Sequence, residues 1–369
     1  MDKTAGKDGG QLKVRVMLHG AINMSNYGDY LFAELFGHAL KKNGAEVVYY
    51  AHPKYGISDY FAKYLGVTPD RAGYKRAMEK SDALVFISGG YFVEPLRKTL
   101  FSEYRHIRRY MDPAAYFMKA GKPIYISGVG AGPFENAAFS KKAKKVIEYA
   151  SAVTVRNEES KKYCEDYGIN KDVTVTADTA LLIKEYMDAE KKDVAGFETG
   201  DGEKMLLFHI DGNPQVKSRL KDTAAPAVRE FLKKHPEYRL YLAADGVKDR
   251  ALYDEFAAVF AGCEPVILEY DDPWVFTRQI ERADLIVTTK LHVGIVGSSF
   301  GCSVVSFPYV SNKTKRFYKQ IGEEKRCVSL SEAGFGDVLG ALEEYKDKKI
   351  VIPDELKEKA RMNLKILPR

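Results

Sequence analysis

Residues 283–309 read ADLIVTTKLHVGIVGSSFGCSVVSFPY, and the fold follows from how this stretch is punctuated. Leu285-Ile286-Val287 is a short apolar, β-branched run, the mark of a strand buried on both faces. Thr288 and Thr289 end the run, and Lys290-Leu291-His292 follows. Over 293–300 the spacing predicts the first turns of a helix, with small residues at Gly294, Gly297, Ser298 and Ser299. Gly301 supplies the left-handed residue that stops such a helix. Val304-Val305-Ser306-Phe307 is the next strand, and Pro308 ends it. Lys290 and His292 therefore stand between the carboxyl end of a strand and the amino end of a helix, the edge where open α/β sheets bind ligands. A helix start adds unpaired N–H groups and partial positive charge. With an ammonium and an imidazole, the place suits a small polyanion. A solvated lysine and a hydrogen-bonded structural histidine are the plainer reading of the same residues.

The same alternation extends towards the amino terminus. A strand at 13–18 runs into a glycine-containing loop, a helix is expected over 30–43, and a strand over 46–50. The loop lacks the Gly-x-Gly-x-x-Gly spacing of a dinucleotide site. It places Asn26, Gly28 and Asp29 at a helix start, where Asp29 is an N-cap or a catalytic carboxylate and Asn26 shapes the turn. A strand at 84–87 ends in Ser88-Gly89-Gly90-Tyr91, and one at 124–127 ends in Gly128-Val129-Gly130. Three strand ends of this kind, near Asn26, Gly89 and Gly128, are expected to line one cleft. Residues 51–80 are rich in aromatics (Tyr55, Tyr60, Tyr64 and Tyr74 among them) and read as a helical insertion. Arg105, Arg108 and Arg109 mark a basic helical face. Arg156, at the end of a strand over 152–155, holds an anion or pairs with an acid; Asp178 is an N-cap or a bond to a partner domain.

Composition changes over 185–204, which is charged and poor in apolar residues, and this is read as a linker. It divides an amino lobe, 1–184, from a carboxyl lobe, 205–369, whose final helix, over 355–364, is expected to pack back across the domains. The 369 residues leave room for two such domains, and 45% apolar with 29% charged residues is a globular composition. A net charge of +6, spread along the chain, argues against nucleic acid and is compatible with an anionic substrate. No apolar run approaches the ~18 residues of a membrane span. The polar start MDKTAGKDGGQ lacks a secretory signal, so a cytoplasmic location is expected. The 4 cysteines and 7 histidines are scattered without metal-ligand spacing, and no metal is expected.

Taken in order, several short pieces resemble the polysaccharide pyruvyl transferase family. They are Asn26-Tyr27-Gly28-Asp29, Ser88-Gly89-Gly90, Gly121-Lys122-Pro123, Gly128-Val129-Gly130, Thr154-Val155-Arg156 with Ser160, Ala177-Asp178, Ala283-Asp284, Leu291-His292, Gly301 and Lys313. The resemblance implies an α/β fold of two Rossmann-like lobes facing a cleft, similar to GT-B-like glycosyltransferases, with the acceptor on the amino lobe and the donor on the carboxyl lobe. It implies a transferase that moves a pyruvyl group from phosphoenolpyruvate onto hydroxyls of a sugar or lipid-linked glycan precursor, forming a ketal, with no cofactor. Carried over by position, His292 is the general acid and Asp29 the base. Lys290, Lys313, Lys315 and Arg156 face the donor; Asn26, Gly28, Gly89, Gly90, Tyr91, Gly128 and Gly130 face the acceptor. The family's usual Arg-Leu-His is Lys290-Leu291-His292 here, which keeps the charge and loses the bidentate fork. A nucleotide-sugar glycosyltransferase and a non-catalytic glycan-binding protein of the same fold are the competing readings. A lipid-linked acceptor would add peripheral contact with a membrane; the oligomeric state, a homo-oligomer included, is left open.

Overall fold

A computed structural model describes residues 13–369 other than 23–25, 51–62, 64, 66–70, 94–98, 136, 191–193, 195–196, 201, 246–249 and 310–311. The amino-terminal segment and Tyr55, Tyr60 and Tyr64 of the aromatic stretch lie outside the described residues.

The first half runs β1 (Arg15–His19), α1 (Tyr27–Lys42), β2 (Glu46–Tyr49), α2 (Arg71–Lys80), β3 (Ala83–Phe86) and β4 (Gly89–Phe92). It continues with α3 (Leu100–Lys119), β5 (Ile124–Ala131), α4 (Ala137–Tyr149), β6 (Ala152–Val155), α5 (Glu158–Asp166) and β7 (Thr174–Val175). A 3-10 turn, Thr179–Leu182, leads into α6 (Ile183–Glu190). The second half runs β8 (Lys204–His209), α7 (Pro214–Arg219), α8 (Ala225–Lys234), β9 (Tyr238–Ala243), α9 (Arg250–Val259) and β10 (Val266–Leu268). Then come α10 (Pro273–Arg282), β11 (Leu285–Thr288), α11 (Leu291–Phe300), β12 (Ser303–Ser306), α12 (Asn312–Gln320), α13 (Phe335–Tyr345) and α14 (Asp354–Lys365).

Each half builds its own parallel sheet. The first is 7-stranded, ordered β2-β1-β3-β5-β6-β7 with β4 paired to β5; the second is 5-stranded, ordered β10-β9-β8-β11-β12. The order in which the chain adds strands reverses between β1 and β3 in one sheet and between β8 and β11 in the other. These are the switch points at which crossover helices leave to opposite faces and open a crevice. The opening stretch of the sequence occupies the second switch point: Val287 of β11 pairs with Phe208 of β8, and Thr288 with Ser306 of β12.

Two local readings change. The glycines after β3 form not only a turn but the short strand β4, paired along β5 from Gly89 to Phe92. The segment read as a linker begins as helix α6, whose Tyr186 and Met187 are buried. Tyr186 stacks on Trp274 at 5.5 Å and donates a 2.8 Å hydrogen bond to Glu34. Charge density hid this because the apolar residues are few, yet they sit on the one face that meets the neighbouring helices.

The lobes share one apolar core, from Phe32 and Leu35 of α1 through Ile183 to Ile280, Val293 and Val296 of α10 and α11. Tyr27 of α1 also bonds Thr277 of α10 at 2.6 Å. The last helix returns to the amino lobe, where one buried residue satisfies several of its polar groups. Asn363 is fully buried; its Oδ1 accepts from Thr154 and Thr176 at 2.7 Å each, and its Nδ2 donates to Ala177 O and Thr179 at 2.9 Å each. It fills the notch where β5 breaks register at Ser127-Gly128. Asn363→Ala strands several buried polar groups at ~1–3 kcal/mol each, so a net loss of about 3 kcal/mol is expected. Chemical denaturation checks this; a loss under ~0.5 kcal/mol, the size of an ordinary surface effect, contradicts it.

Candidate active site

Asn26 is the N-cap of α1: its side chain accepts from Gly28 N at 2.9 Å. Asp29 is therefore not the cap but a first-turn carboxylate, because the helix begins at Tyr27 rather than at residue 30. Across the cleft, α11 begins at the end of β11 with Lys290 as its backbone N-cap and no side-chain cap bond. The two helix starts meet. The imidazole of His292 lies against the Cα of Gly28, where any Cβ would overlap Nδ1 and Cγ of the ring. The ring also packs edge-on to Phe32, centroids 5.0 Å apart. Its Nε2 is shut off from solvent and makes no hydrogen bond to any of the described residues.

Lys290 is committed within its own lobe. Its ammonium is 3.0 Å from Asp211, which follows β8, and Thr289 also bonds that carboxylate. Burial works against the charge, but Asp245 and Asp211 outweigh it and hold the ammonium above its usual value. Asp245, after β9, lies 3.3 Å from the fully buried His209. Despite burial it stays below the usual carboxylate range, because His209, Lys290 and His292 surround it. Neither aspartate was singled out from the sequence, yet each bore a signal: it follows a strand end and precedes a glycine, as Asp211-Gly212 and Asp245-Gly246.

A cavity between the lobes is lined by Arg156, Asn157 and Asp178 on one side and Leu291, Lys313, Arg316, Phe317 and Gln320 on the other. Arg156 does pair with an acid, Asp178, at 2.9 Å, both buried; Asp178 at the same time caps the 3-10 turn through Ala180 N. Lys313 has no carboxylate at ion-pair distance among the described residues. Burial, then Arg156 and Arg316, pull its ammonium down to about 8. Lys315 is outside this group: both lysines are exposed, but Lys315, two residues on along α12, does not line the cavity and pairs with Glu324 at 3.7 Å. Lys313→Met is thus expected to weaken anion binding ~10-fold or more, a loss of at least about 1.4 kcal/mol. Lys315→Met should leave it unchanged; equal effects in a binding titration would contradict this placement.

The glycines expected to face an acceptor have protein side chains against them. Gly90 leaves room for the Lys313 ammonium, 3.1 Å from where a Cβ would stand, and Gly130 for the Arg156 guanidinium at 3.3 Å. Gly128, with φ +64°, admits Asn363; Gly89 admits the ring of Tyr91. Tyr91 is buried, its hydroxyl donating back to Ser88 O, so it does not present its phenol to the cleft. Asn26 is exposed at the rim. The glycines thus let the cationic side chains and the imidazole approach the amino-lobe backbone.

With no donor bound, the proton affinities of Asp29 and His292 move in opposite directions. Burial lifts Asp29 to about 7, although Lys313, Arg109 and Arg156 pull it back. Burial lowers His292 to about 4, with Arg156 and Lys313 adding to it and Asp178 and Asp245 opposing. At neutral pH the carboxyl, not the imidazole, is the group poised to give up a proton.

Among the described residues no helix is long and apolar enough to cross a membrane. In fold, the chain is similar to UDP-GlcNAc 2-epimerase of Methanocaldococcus jannaschii, with TM-score 0.63, 14% identity, and 95% of this chain and 98% of that one covered. It is also similar to the enzyme of Neisseria meningitidis bound to UDP-GlcNAc, with TM-score 0.60, 12% identity, and 96% and 99% covered. These likenesses make the fold GT-B-like. In sequence, the amylovoran biosynthesis protein AmsJ of Erwinia amylovora is 20% identical over 309 residues, covering 78% of this chain and 72% of that protein. The family described as polysaccharide pyruvyl transferase matches residues 26–312, from the cap of α1 to the first residue of α12, short of Lys313 and Arg316, and the chain belongs to that family of transferases.

Proposed function

We propose that this protein transfers a pyruvyl group from phosphoenolpyruvate to two hydroxyls of a glycan or glycan precursor, forming a cyclic ketal and releasing inorganic phosphate. The observation that carries the reading is the interlobe cavity, in which Lys313, Arg156 and Arg316 crowd together with fewer carboxylates than cations. Such a cluster, beside the start of α11, matches the charge of a small ligand bearing both a carboxylate and a phosphate, and the lobes must part to admit one, since the cavity holds only about 10 Å³. Lys290, held by Asp211, shapes the helix start and adds little net charge.

The chemistry needs one proton delivered to the methylene carbon and one removed from each attacking hydroxyl. Asp29 enters protonated and supplies the first; neutral His292, whose Nε2 is covered and without a partner among the described residues, accepts from the hydroxyl once the opening cleft uncovers it. The hydroxyl oxygen bonds to the enol carbon as the methylene becomes a methyl group. The carbon–oxygen bond to phosphate then breaks, phosphate leaves with that oxygen and takes the proton held by His292, and the second hydroxyl closes the ketal, its proton returning to the Asp29 carboxylate. No cofactor enters this scheme.

Phosphoenolpyruvate at 100 times its dissociation constant should stabilise the protein by about 2.7 kcal/mol. UDP-GlcNAc should not. A thermal-shift comparison decides: stabilisation by the nucleotide sugar alone would favour glycosyl transfer and overturn the donor assignment.

A further inference from the structure

Three adjacent strands of the second sheet, β9, β8 and β11, end level with one another. Phe208 of β8 pairs with Leu242 of β9 on one side and with Val287 of β11 on the other. Three residues beyond each of these stand Asp245, Asp211 and Lys290, which therefore form a row along the carboxyl edge of the sheet. The carboxylates of the row are not equally engaged. One oxygen of Asp211 accepts from Asn213 N at 2.9 Å; the other accepts from Thr289 at 3.3 Å and lies 3.0 Å from the Lys290 ammonium. For Asp245 the one contact among the described residues joins Oδ1 to a ring nitrogen of the fully buried His209, at 3.3 Å, and Oδ2 has no partner there. Against its burial, His209, Lys290 and His292 keep that carboxylate charged. Asp245 also faces the reacting groups, since its charge acts on both Asp29 and His292. Gly28 meets the His292 ring along Nδ1, Cγ and Cε1. Nε2, covered and without a partner among the described residues, is therefore on the edge turned away from Gly28.

The unused groups define what this edge can hold. An anion suits the cations at Lys313, Arg156 and Arg316, not a row of two carboxylates and one ammonium. A metal ion needs several free ligands, and no group of three His, Cys, Asp or Glu side chains is placed to hold one among the described residues. A sugar hydroxyl needs one acceptor and one donor. Oδ2 of Asp245 is the first; the Lys290 ammonium, with three N–H groups and one carboxylate contact, is the second. We propose that Asp245 and Lys290 grip one hydroxyl of the acceptor sugar, which keeps its proton, and so hold the neighbouring hydroxyls at Nε2 of His292. The acceptor's anchor is then on the carboxyl lobe rather than at the glycines of the amino-lobe strand ends. Its substrate class is a pyranoside with a free hydroxyl beside the reacting pair, entering as the lobes part. That the neighbouring hydroxyls are ketalised rests on the functional reading above; that a sugar binds here does not.

Ligand-observed NMR of the full chain with the methyl glycosides of glucose, galactose, mannose and N-acetylglucosamine tests it. At least one should bind wild type saturably. Asp245→Ala should weaken that glycoside ~10-fold or more, the cost of a hydrogen bond to a charged group, and Lys290→Met likewise. Asp245→Asn, which keeps the shape and an uncharged acceptor, should lose less. Neither change at Asp245 should reduce the melting-temperature shift given by phosphoenolpyruvate, because removing a negative charge does not weaken an anion. A panel in which no glycoside binds overturns the inference, as does unchanged glycoside affinity in whichever Asp245 variant is folded. Manganese alone stabilising wild type but not Asp245→Ala would assign the free oxygen to a cation and overturn it too. Glycoside binding without a phosphoenolpyruvate shift would sink the donor assignment and leave this site standing. A phosphoenolpyruvate shift without glycoside binding would sink this site alone.

Discussion

His292→Ala should lower turnover ~10²–10⁴-fold, the usual cost of losing a positioned acid or base. Donor binding should change far less, since the imidazole is neutral in the empty site and Lys313 and Arg156 carry the charge. The pH profile separates this from a merely structural role. In the free enzyme kcat/KM should fall below about 4, where His292 takes up a proton. It should also fall above about 7, where Asp29 loses its proton. Beyond that, Lys313, pulled down to about 8, loses charge and steepens the decline. His292→Ala should erase the acid limb; Asp29→Asn should move the alkaline limb towards that of Lys313. The same groups act on stability with opposite signs. Raising Asp29 from 3.8 means the folded state binds more protons, so its contribution falls as pH rises from 3.8 to about 7. Lowering His292 from 6.5 means the folded state binds fewer, so its contribution rises between about 4 and 6.5. The two largely offset between those values, and the pH dependence of activity should therefore exceed that of melting. A folded His292→Ala protein retaining turnover within a few-fold of wild type would make this a packing histidine, held by Phe32 and Gly28.

Gly28→Ala should be nearly as damaging. Within a helix, alanine in place of glycine ordinarily stabilises by ~1 kcal/mol. Here the added methyl overlaps the ring of His292, and neither the cap of α1 nor the start of α11 can move freely. Displacing a reacting group by about 1 Å costs on the order of 10²-fold in rate. Turnover should thus drop at least that far, with ~1–3 kcal/mol of overpacking strain in place of the propensity gain. Turnover and melting temperature are measured together. A variant that melts higher and turns over normally would mean that the helix starts do not meet as described.

The legibility of the molecule follows the range of the forces involved. β11, α11 and β12 were readable because β-branched runs, a glycine stop and a proline are local signals. Lys290 and His292 were placed correctly at a strand-to-helix junction for the same reason. Their chemistry was not readable, because it depends on groups distant in sequence: Asp211 on Lys290, and Gly28 under His292. The glycines of the strand ends were visible as backbone approaches, but local sequence does not say whether ligand or protein approaches. Lys315 was grouped with Lys313 by proximity in sequence, whereas a two-residue step turns a helical side chain to another face. The amphipathic face of α6 was obscured by the charges around Tyr186 and Met187.

The central claim is that the interlobe cluster binds phosphoenolpyruvate with a change of protonation. An anion arriving beside Asp29 and Lys313 raises both proton affinities. Titration calorimetry at pH 7.5, in two buffers of different ionisation enthalpy, reads this directly. The expected result is saturable binding with net proton uptake, weakened ~10-fold or more by Lys313→Met and unaffected by Lys315→Met. Absence of binding, or binding without proton uptake that survives Lys313→Met unchanged, would contradict the account.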